Sequence, residues 1–342
     1  MLAHAKLNLC LSLGPALPPG TTHAGRNVSG YHRIASWMAC IDLADELEVT
    51  PLPAGQASRY VREWAPDAPR ATPIDWPIEK DLVHRAHRAL EAHAGRSLPA
   101  EVVLRKRVPA AAGLGGGSGD AGAMLRALES AFDLGLDSGT LRGIGASLGS
   151  DVPFFVDDQQ PPAPALVGAL GDDVERVERV AGELVLVVPP FQCASRDVFR
   201  AYDDVLGEQV SATRALIAAR DGPEAAARYE PQPERMDLVR RRYEKARRGG
   251  RPADELLFND LYRAAVRVEP GLGLLAGLLS RVTRCHAHLT GSGSCLFLLA
   301  RDADRLLARV RSTLEALANS DDEPTRAIVR DGPCTAVRAR FV

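Results

Sequence analysis

Residues Pro109 to Ala123 run P-A-A-A-G-L-G-G-G-S-G-D-A-G-A, with glycine at five of the seven positions from 113 to 119. Glycine backbone can pass close to a ligand and turn its N–H groups inward. Where a helix starts just beyond, its unpaired amides and positive dipole end favour an anion, and a polyphosphate is the obvious guest. The stretch contains no G-x-x-x-x-G-K-[ST], and Ser118 stands where a dinucleotide fingerprint would have its third glycine. A plain turn between core elements is the alternative, but such a turn has no need of so many glycines. Three further places carry candidate chemistry. Lys6, Asn8 and Cys10 alternate with Leu7, Leu9, Leu11 and Leu13, so Lys6 and Asn8 are expected on the strand face opposite the leucines, which taken alone reads as a solvated face. Gly30-Tyr31-His32 sets an aromatic beside a histidine, either to stack on a ligand or merely to end a turn. Asp151 lies between Gly149-Ser150 and the apolar run Val152-Pro153-Phe154-Phe155, so it is either a functional acid or a turn-forming one.

These residues need elements to hold them. Glu101 to Val108 reads as a strand, and Ala121, Met124, Leu125, Leu128 and Phe132 fall at helical spacing. The order around the glycines is therefore strand, loop, helix. Ala5 to Leu13 and Ile34 to Ile41 read as strands, the first followed by a Gly/Pro/Thr/Ser-rich loop over 14–30. The proline-rich stretch 51–77 suggests a strand hairpin with a long insertion, and Leu82, Ala86, Leu90 and His93 mark a helix. Ser138 is the expected N-cap of a helix carrying Leu141, Ile144 and Leu148. After a connector at 159–164 come a buried-type strand at 184–188, a helix beginning near Val198 and Phe199, and a charged helical stretch over 205–252. Seven of the twelve residues from Arg240 to Arg251 are Lys or Arg, which reads as a solvated insertion or a basic docking patch. Helices over 256–268, 271–279 and 302–317, a Gly/Ser turn at Thr290 to Ser294, and a closing strand over 335–342 complete the chain.

A length of 342 residues suits two domains, and 46% hydrophobic with 25% charged residues is ordinary for a globular protein. A net charge of -2 gives no reason to expect nucleic acid or an anionic membrane as partner. Lys6 and Asn8 interrupt the first apolar run too early for a signal peptide, so a cytoplasmic location is expected. The six cysteines form no C-x-x-C pair and read as buried free thiols. Cys285, His286 and His288 have no further ligand group nearby, and no metal site is expected there.

Taken in order, A-K-L-N-L near the start, P-x-x-x-G-L-G-G-G-S in the middle and L-T-G-S-G-S near the end resemble the GHMP kinases of small metabolites. Gly30-Tyr31-His32 and Leu148 to Phe155 are similar to the branch acting on a cytidine diphosphate-linked sugar alcohol in non-mevalonate isoprenoid precursor synthesis. The resemblance implies an α+β, two-domain GHMP kinase fold. Residues 1–165 would form an ATP-binding domain like domain 2 of ribosomal protein S5, and 182–342 a ferredoxin-like domain with a charged insertion near 205–252. It assigns Lys6 and Asp151 as the catalytic pair, and Asn8, Tyr31, His32 and Phe199 to the substrate pocket. Pro109, Gly113, Leu114, Gly115, Gly116, Gly117, Ser118, Gly119 and Asp120 would cradle ATP. In such chemistry a carboxylate accepts the proton of a poorly nucleophilic hydroxyl, and a neighbouring ammonium stabilises charge on both oxygens. Mg²⁺ would arrive with the ATP, and the assembly would be a monomer or homodimer. Three departures stand out. The family loop usually continues S-S-N-A, whereas this chain has Ser118-Gly119-Asp120-Ala121, with Asp120 expected to cap the helix yet oppose phosphate. Asp81 replaces an Asn near the nucleotide base, and the 205–252 insertion is long. A kinase of a different alcohol, or a relative that binds nucleotide without turning it over, remains open on the sequence.

Overall fold

The computed structural model describes residues 1–320 and 322–342. Its first half is built on two long strands, β1 (Leu2–Ala16) and β4 (His32–Pro51), paired antiparallel along most of their length. Between them a two-residue ribbon, β2 (Thr22–His23) with β3 (Arg26–Asn27), closes the loop over 17–31. The alternation seen in β1 is interrupted by register shifts, one of them between Asn8 and Cys10. Such a shift swaps faces. Leu7, Leu9 and Cys10 accordingly share one core cluster, and Leu11 and Leu13 belong to another.

The stretch 51–77 forms no hairpin. β5 (Arg59–Trp64) lies at the sheet edge, parallel to β6 (Ala100–Lys106), and β6 separates it from β4. Parallel neighbours need a crossover, which α1 (Leu82–Ala94) supplies. After β6, the glycine loop leads into α2 (Gly116–Phe132), then α3 (Ser138–Leu148) and α4 (Val152–Phe155). The cap of α3 is Asp137 rather than Ser138, its carboxylate accepting from Thr140 N at 2.7 Å. Leu90 of α1, Val102 and Leu104 of β6, and Met124, Leu125 and Leu128 of α2 form the core on this face. The sheet does not stop at 165, because β7 (Ala165–Gly168) pairs with β4 and β8 (Asp173–Arg176) with β7.

The second half holds a four-stranded antiparallel sheet. Its central strand, β9 (Glu183–Val188), is followed by α5 (Ser195–Asp221), α6 (Pro223–Ala227) and α7 (Met236–Arg248). The segment expected as one helix over 256–268 is divided. Asn259 sits in β10 (Phe258–Asn259), which runs parallel to β1, and α8 (Tyr262–Val268) starts only afterwards. Asn259 is held extended by its amide, which donates to Leu289 O at 3.0 Å and Gly291 O at 2.8 Å. Then come α9 (Pro270–Thr283), β11 (His288–Leu289), β12 (Leu296–Ala300), α10 (Ala303–Ala318), α11 (Glu323–Val329) and β13 (Thr335–Arg340). The sheet order is β11-β12-β9-β13. Among the described residues no helix is long and apolar enough to cross a membrane.

β9 is buried on both faces, as its unbroken apolar run predicts. Val185 and Val187 face Leu275, Leu279 and Val310 of the helices, whereas Leu184, Leu186 and Val188 join Leu7, Leu9 and Trp37 from the first sheet. The two halves therefore share one apolar layer. The basic stretch is more than a solvated insertion, since α7 buries Val239, Tyr243 and Ala246 in that layer, with Tyr243 edge-on to Trp37 at 5.5 Å. Much of its charge is answered locally, Arg240 pairing with Glu175, Arg241 with Asp237 and Arg247 with Glu244.

Close packing of α2 on α4 depends on Gly122, where an added Cβ would lie 2.7 Å from Phe155 Cβ. Gly122→Val is expected to lower the unfolding free energy by about 1–3 kcal/mol, seen as a lower urea midpoint. Gly143, in α3, has open space around its missing Cβ. Gly143→Ala is expected to raise stability by about 0.5–1 kcal/mol in the same titration.

Candidate active site

A cleft of about 1260 Å³ opens between the glycine loop, the start of β1 and the first turns of α5. Lys6 and Asp151 meet in it, Nζ to Oδ2 at 3.4 Å. Lys6 is 3% exposed, so the solvated-face reading of β1 fails. An ammonium removed from water needs replacement partners. It donates to Asn8 Oδ1, and Asn8 Nδ2 in turn donates to Ser36 Oγ at 2.8 Å, which donates to Cys10 O at 2.7 Å. That relay fixes which end of the Asn8 amide faces the lysine. Asp151 heads α4 without capping it, which leaves its carboxylate uncommitted to the helix. Its side chain is 31% exposed. The turn between β7 and β8 braces this segment from behind, because a Cβ on Gly171 would collide with Ser150 O.

The glycines serve the chain as much as any ligand. Gly115 is the N-cap of α2 at φ 70°, and a Cβ there would sit 3.0 Å from Lys6 Cγ and from Phe155 Cζ. Gly113, at φ 76°, abuts Thr290 O and lies 3.0 Å from Gly293 N by the same measure. Leu114 O accepts from Lys6 N at 2.9 Å and Ala112 O from Cys295 N at 3.1 Å, tying the loop to both halves. Gly119 fits because a Cβ would meet His4 O at 3.0 Å. With glycine as cap, no side chain among the described residues answers the first amides of α2, which leaves them open to an anion. Gly113 to Ser118, with Pro109, all line the cleft. Asp120 is not the expected cap. The helix starts earlier, and Asp120 sits in its second turn, buried and paired with Lys106 at 2.6 Å.

The opposite wall carries Asn8, Tyr31, His32 and Phe199, the four residues expected to bind substrate. His32 Nδ1 lies 3.0 Å from Gly14 O; a carbonyl only accepts, so Nδ1 holds the proton. Nε2 is buried, 3.5 Å from Asp203 Oδ1. The Phe199 and Tyr202 rings both lie 5.4 Å from the imidazole, and Tyr202 is anchored by donating to Leu13 O at 2.9 Å. Tyr31 is exposed at the rim.

Beyond Lys6, the sequence reading placed no Lys or Arg in the pocket, yet Lys80, Lys106, Arg196 and Arg200 line it. The signal was available on α5, where Arg196, Phe199, Arg200 and Asp203 recur at helical spacing on one face. Thr290 and Ser292 were also missed as partners. Thr290 Oγ1 accepts from Asn8 N at 3.1 Å, and Ser292 Oγ lies 2.8 Å from Ser195 Oγ. Asp81 caps α1 through Val83 N at 2.9 Å and pairs with Arg62 at 3.1 Å. All six cysteines are free, and burial pushes the Cys10, Cys40, Cys193, Cys295 and Cys334 thiols up to about 12.

The family description "GHMP kinases N terminal domain" matches residues 81–159. A protein of Pelotomaculum thermopropionicum named 4-diphosphocytidyl-2-C-methyl-D-erythritol kinase is 31% identical over 320 residues, covering 92% of this chain and 95% of its own. A crystal structure of 4-(cytidine 5'-diphospho)-2C-methyl-D-erythritol kinase superposes with a TM-score of 0.64 at 25% identity, covering 100% of this chain and 99% of that one. An L. major mevalonate kinase shares the fold at 13% identity, with a TM-score of 0.64 over 99% of this chain and 94% of its own. With its glycine loop and Asp151 inside the matched domain and a relative aligned almost end to end, the chain belongs to the GHMP kinase family.

Proposed function

We propose that the protein transfers the γ-phosphate of ATP to a hydroxyl of 4-diphosphocytidyl-2-C-methyl-D-erythritol, in non-mevalonate isoprenoid precursor synthesis. The relative so named, matched over 92% of this chain, supports the substrate. The observation that carries the chemistry is the Lys6–Asp151 pair, 3.4 Å apart in the cleft that the glycine loop also lines.

In this reading Asp151 accepts the hydroxyl proton as the oxygen attacks, and Lys6 stabilises charge on both oxygens. The amides of the loop and of the α2 N-terminus hold the phosphates in line with the acceptor, which is where most of the rate in phosphoryl transfer originates. His32 and Phe199 orient the cytidine end. Among the described residues no group of three or more His, Cys, Asp or Glu side chains gathers to hold a metal. The cleft does offer single oxygen donors in Asp151 and Ser118. Such a set fits a magnesium ion that arrives with most of its ligands on the nucleotide and in water. When bound, that ion supplies countercharge to the β- and γ-phosphates.

Arg196 and Arg200 favour a second reading, because guanidinium groups on the substrate wall suit an anionic acceptor. A diphosphate linkage satisfies them, and so does a carboxylate-bearing alcohol. A panel of alcohols assayed for ADP release separates the two. The cytidyl diphosphate substrate should be turned over with the highest kcat/KM, and preference for an acid alcohol would transfer the assignment to that class.

Asp151→Asn should lower kcat by roughly 10²–10⁴-fold while leaving the thermal midpoint and ATP binding near wild type. Undiminished turnover in that variant would remove Asp151 as the base. Phe199→Ala should raise the KM for the cytidyl substrate by about tenfold, with the KM for ATP unmoved. A shift of both constants together would place Phe199 outside the substrate pocket.

A further inference from the structure

A second cavity, of about 420 Å³, opens at the end of β12 that points away from the 290–294 turn. Its walls are the start of β9, the chain just after α7, the end of α9, the end of β12 and the first turns of α10. None of its lining residues lines the active-site cleft. Its size falls within the range of about 300–1000 Å³ typical of small-molecule sites.

Five arginines face this space, Arg251, Arg284, Arg301, Arg305 and Arg309. Among the described residues, none of the five guanidiniums has an ion pair or a hydrogen bond. Other arginines on the surface are matched, as Arg105 is by Glu48 and Glu63. Four carboxylates also line the cavity, but three are committed. Glu183 pairs with Arg338, Asp254 with His288 at 2.9 Å, and Asp302 accepts from Arg305 N at 3.0 Å. Glu255 alone among the four is left over. What the cavity holds in excess is therefore unspent guanidinium N–H donors, five to each side chain. Arg305 and Arg309 also stand one helical turn apart, where like charges repel. A bound anion would relieve that repulsion and use the donors. A carboxylate has two oxygens to offer a guanidinium fork, whereas a phosphate or diphosphate has enough for several forks at once. Pro252, Leu299 and Leu306 add apolar surface beside them.

We propose that this cavity is an anion site, separate from the cleft, which takes the phosphate or diphosphate group of a small molecule. Arg284 comes from the end of α9 and Arg305 from the first turn of α10, so the donors converge from different elements. The site shares no residue with the cleft and does not depend on the kinase reading.

The test titrates inorganic diphosphate and n-butyl diphosphate by calorimetry into the full-length protein and two double variants. Arg284 closes α9 at φ 61°, a conformation glycine takes more easily, so Arg284→Gly removes the guanidinium without straining the turn. Arg284→Gly with Arg305→Ala should weaken diphosphate binding by about tenfold or more, with the KM for ATP unmoved. Arg228→Ala with Arg248→Ala removes the same charge outside the cavity and should leave the affinity unchanged. Tighter binding of the butyl ester assigns the site to a ligand-borne diphosphate resting on the apolar surface, and equal or weaker binding assigns it to the free anion. No saturable binding to the wild type, an isotherm unchanged in the first variant, or equal losses in both variants would overturn the inference. A loss matched by a rise in the KM for ATP overturns it too, because the diphosphate then sits in the cleft. Failure to turn over any alcohol would end the kinase reading but leave the titration standing, which separates the two failures.

Discussion

A lysine ammonium kept out of water is the constraint around which this molecule is arranged. Removing such a charge from solvent costs several kcal/mol unless partners replace the lost hydration. Lys6 obtains them from two directions, Asn8 on its own strand and Asp151 at the head of α4. Each partner has its own support, Ser36 behind Asn8 and the β7–β8 turn behind Ser150. The glycines belong to the same arrangement. Gly115 leaves room for the Lys6 stem, and a Cβ on Gly291 would lie 3.4 Å from its Nζ. A side chain at Gly115 would crowd the lysine stem, and one at Gly291 would press on Gly113 O at 2.9 Å, in the loop beside it.

That arrangement requires the two sheets to stay in register. β1 presents Lys6 and Asn8 to the cleft because Leu7 and Leu9 are committed to the apolar layer shared with Leu184, Leu186 and Phe297. A slip of one residue would exchange the faces and bury the lysine among leucines. The Gly/Ser turn over 290–294 comes from the second sheet and packs on the loop of the first, with Cys295 N bonded to Ala112 O. The cleft is thus a product of the shared layer rather than of either half alone.

Much of this was legible in the sequence where local rules decide. The strand–loop–helix order about the glycines and the helix at 82–94 follow from spacing, and the structure contains them, whereas the leucine alternation of β1 holds only as far as Leu9, where the register shift turns Leu11 and Leu13 to another cluster. The misplaced features are those decided by distant partners. The helix expected over 256–268 yields to β10 because Asn259 is held by carbonyls some thirty residues later in the chain. Asp120 reads as a cap at its position in the loop, and only Lys106 and Asp45, on other strands, make it a buried ion-pair member. The hairpin expected over 51–77 gives way to a crossover because β6 takes the place beside β4. The meeting of Lys6 with Asp151 likewise followed only from resemblance, since no local rule joins residues so far apart.

The pair itself is asymmetric, and the asymmetry suits the direction of proton flow in the proposed reaction. The ammonium is sealed at 3% exposure, while the carboxylate keeps 31% of its side chain open to the cleft. A group meant to touch the acceptor must be reachable, and a group meant to stabilise charge works best where water cannot screen it. Exchanging the two, with an open lysine and a buried acid, would leave the hydroxyl beside a cation unable to take its proton. It would also leave the phosphate beside an ammonium weakened by solvent. A carboxylate at the head of a short helix, uncommitted as a cap, can turn towards an arriving hydroxyl without breaking any helical hydrogen bond. In the proposed reaction, the fold thus fixes the charge that must not move and leaves free the one that must.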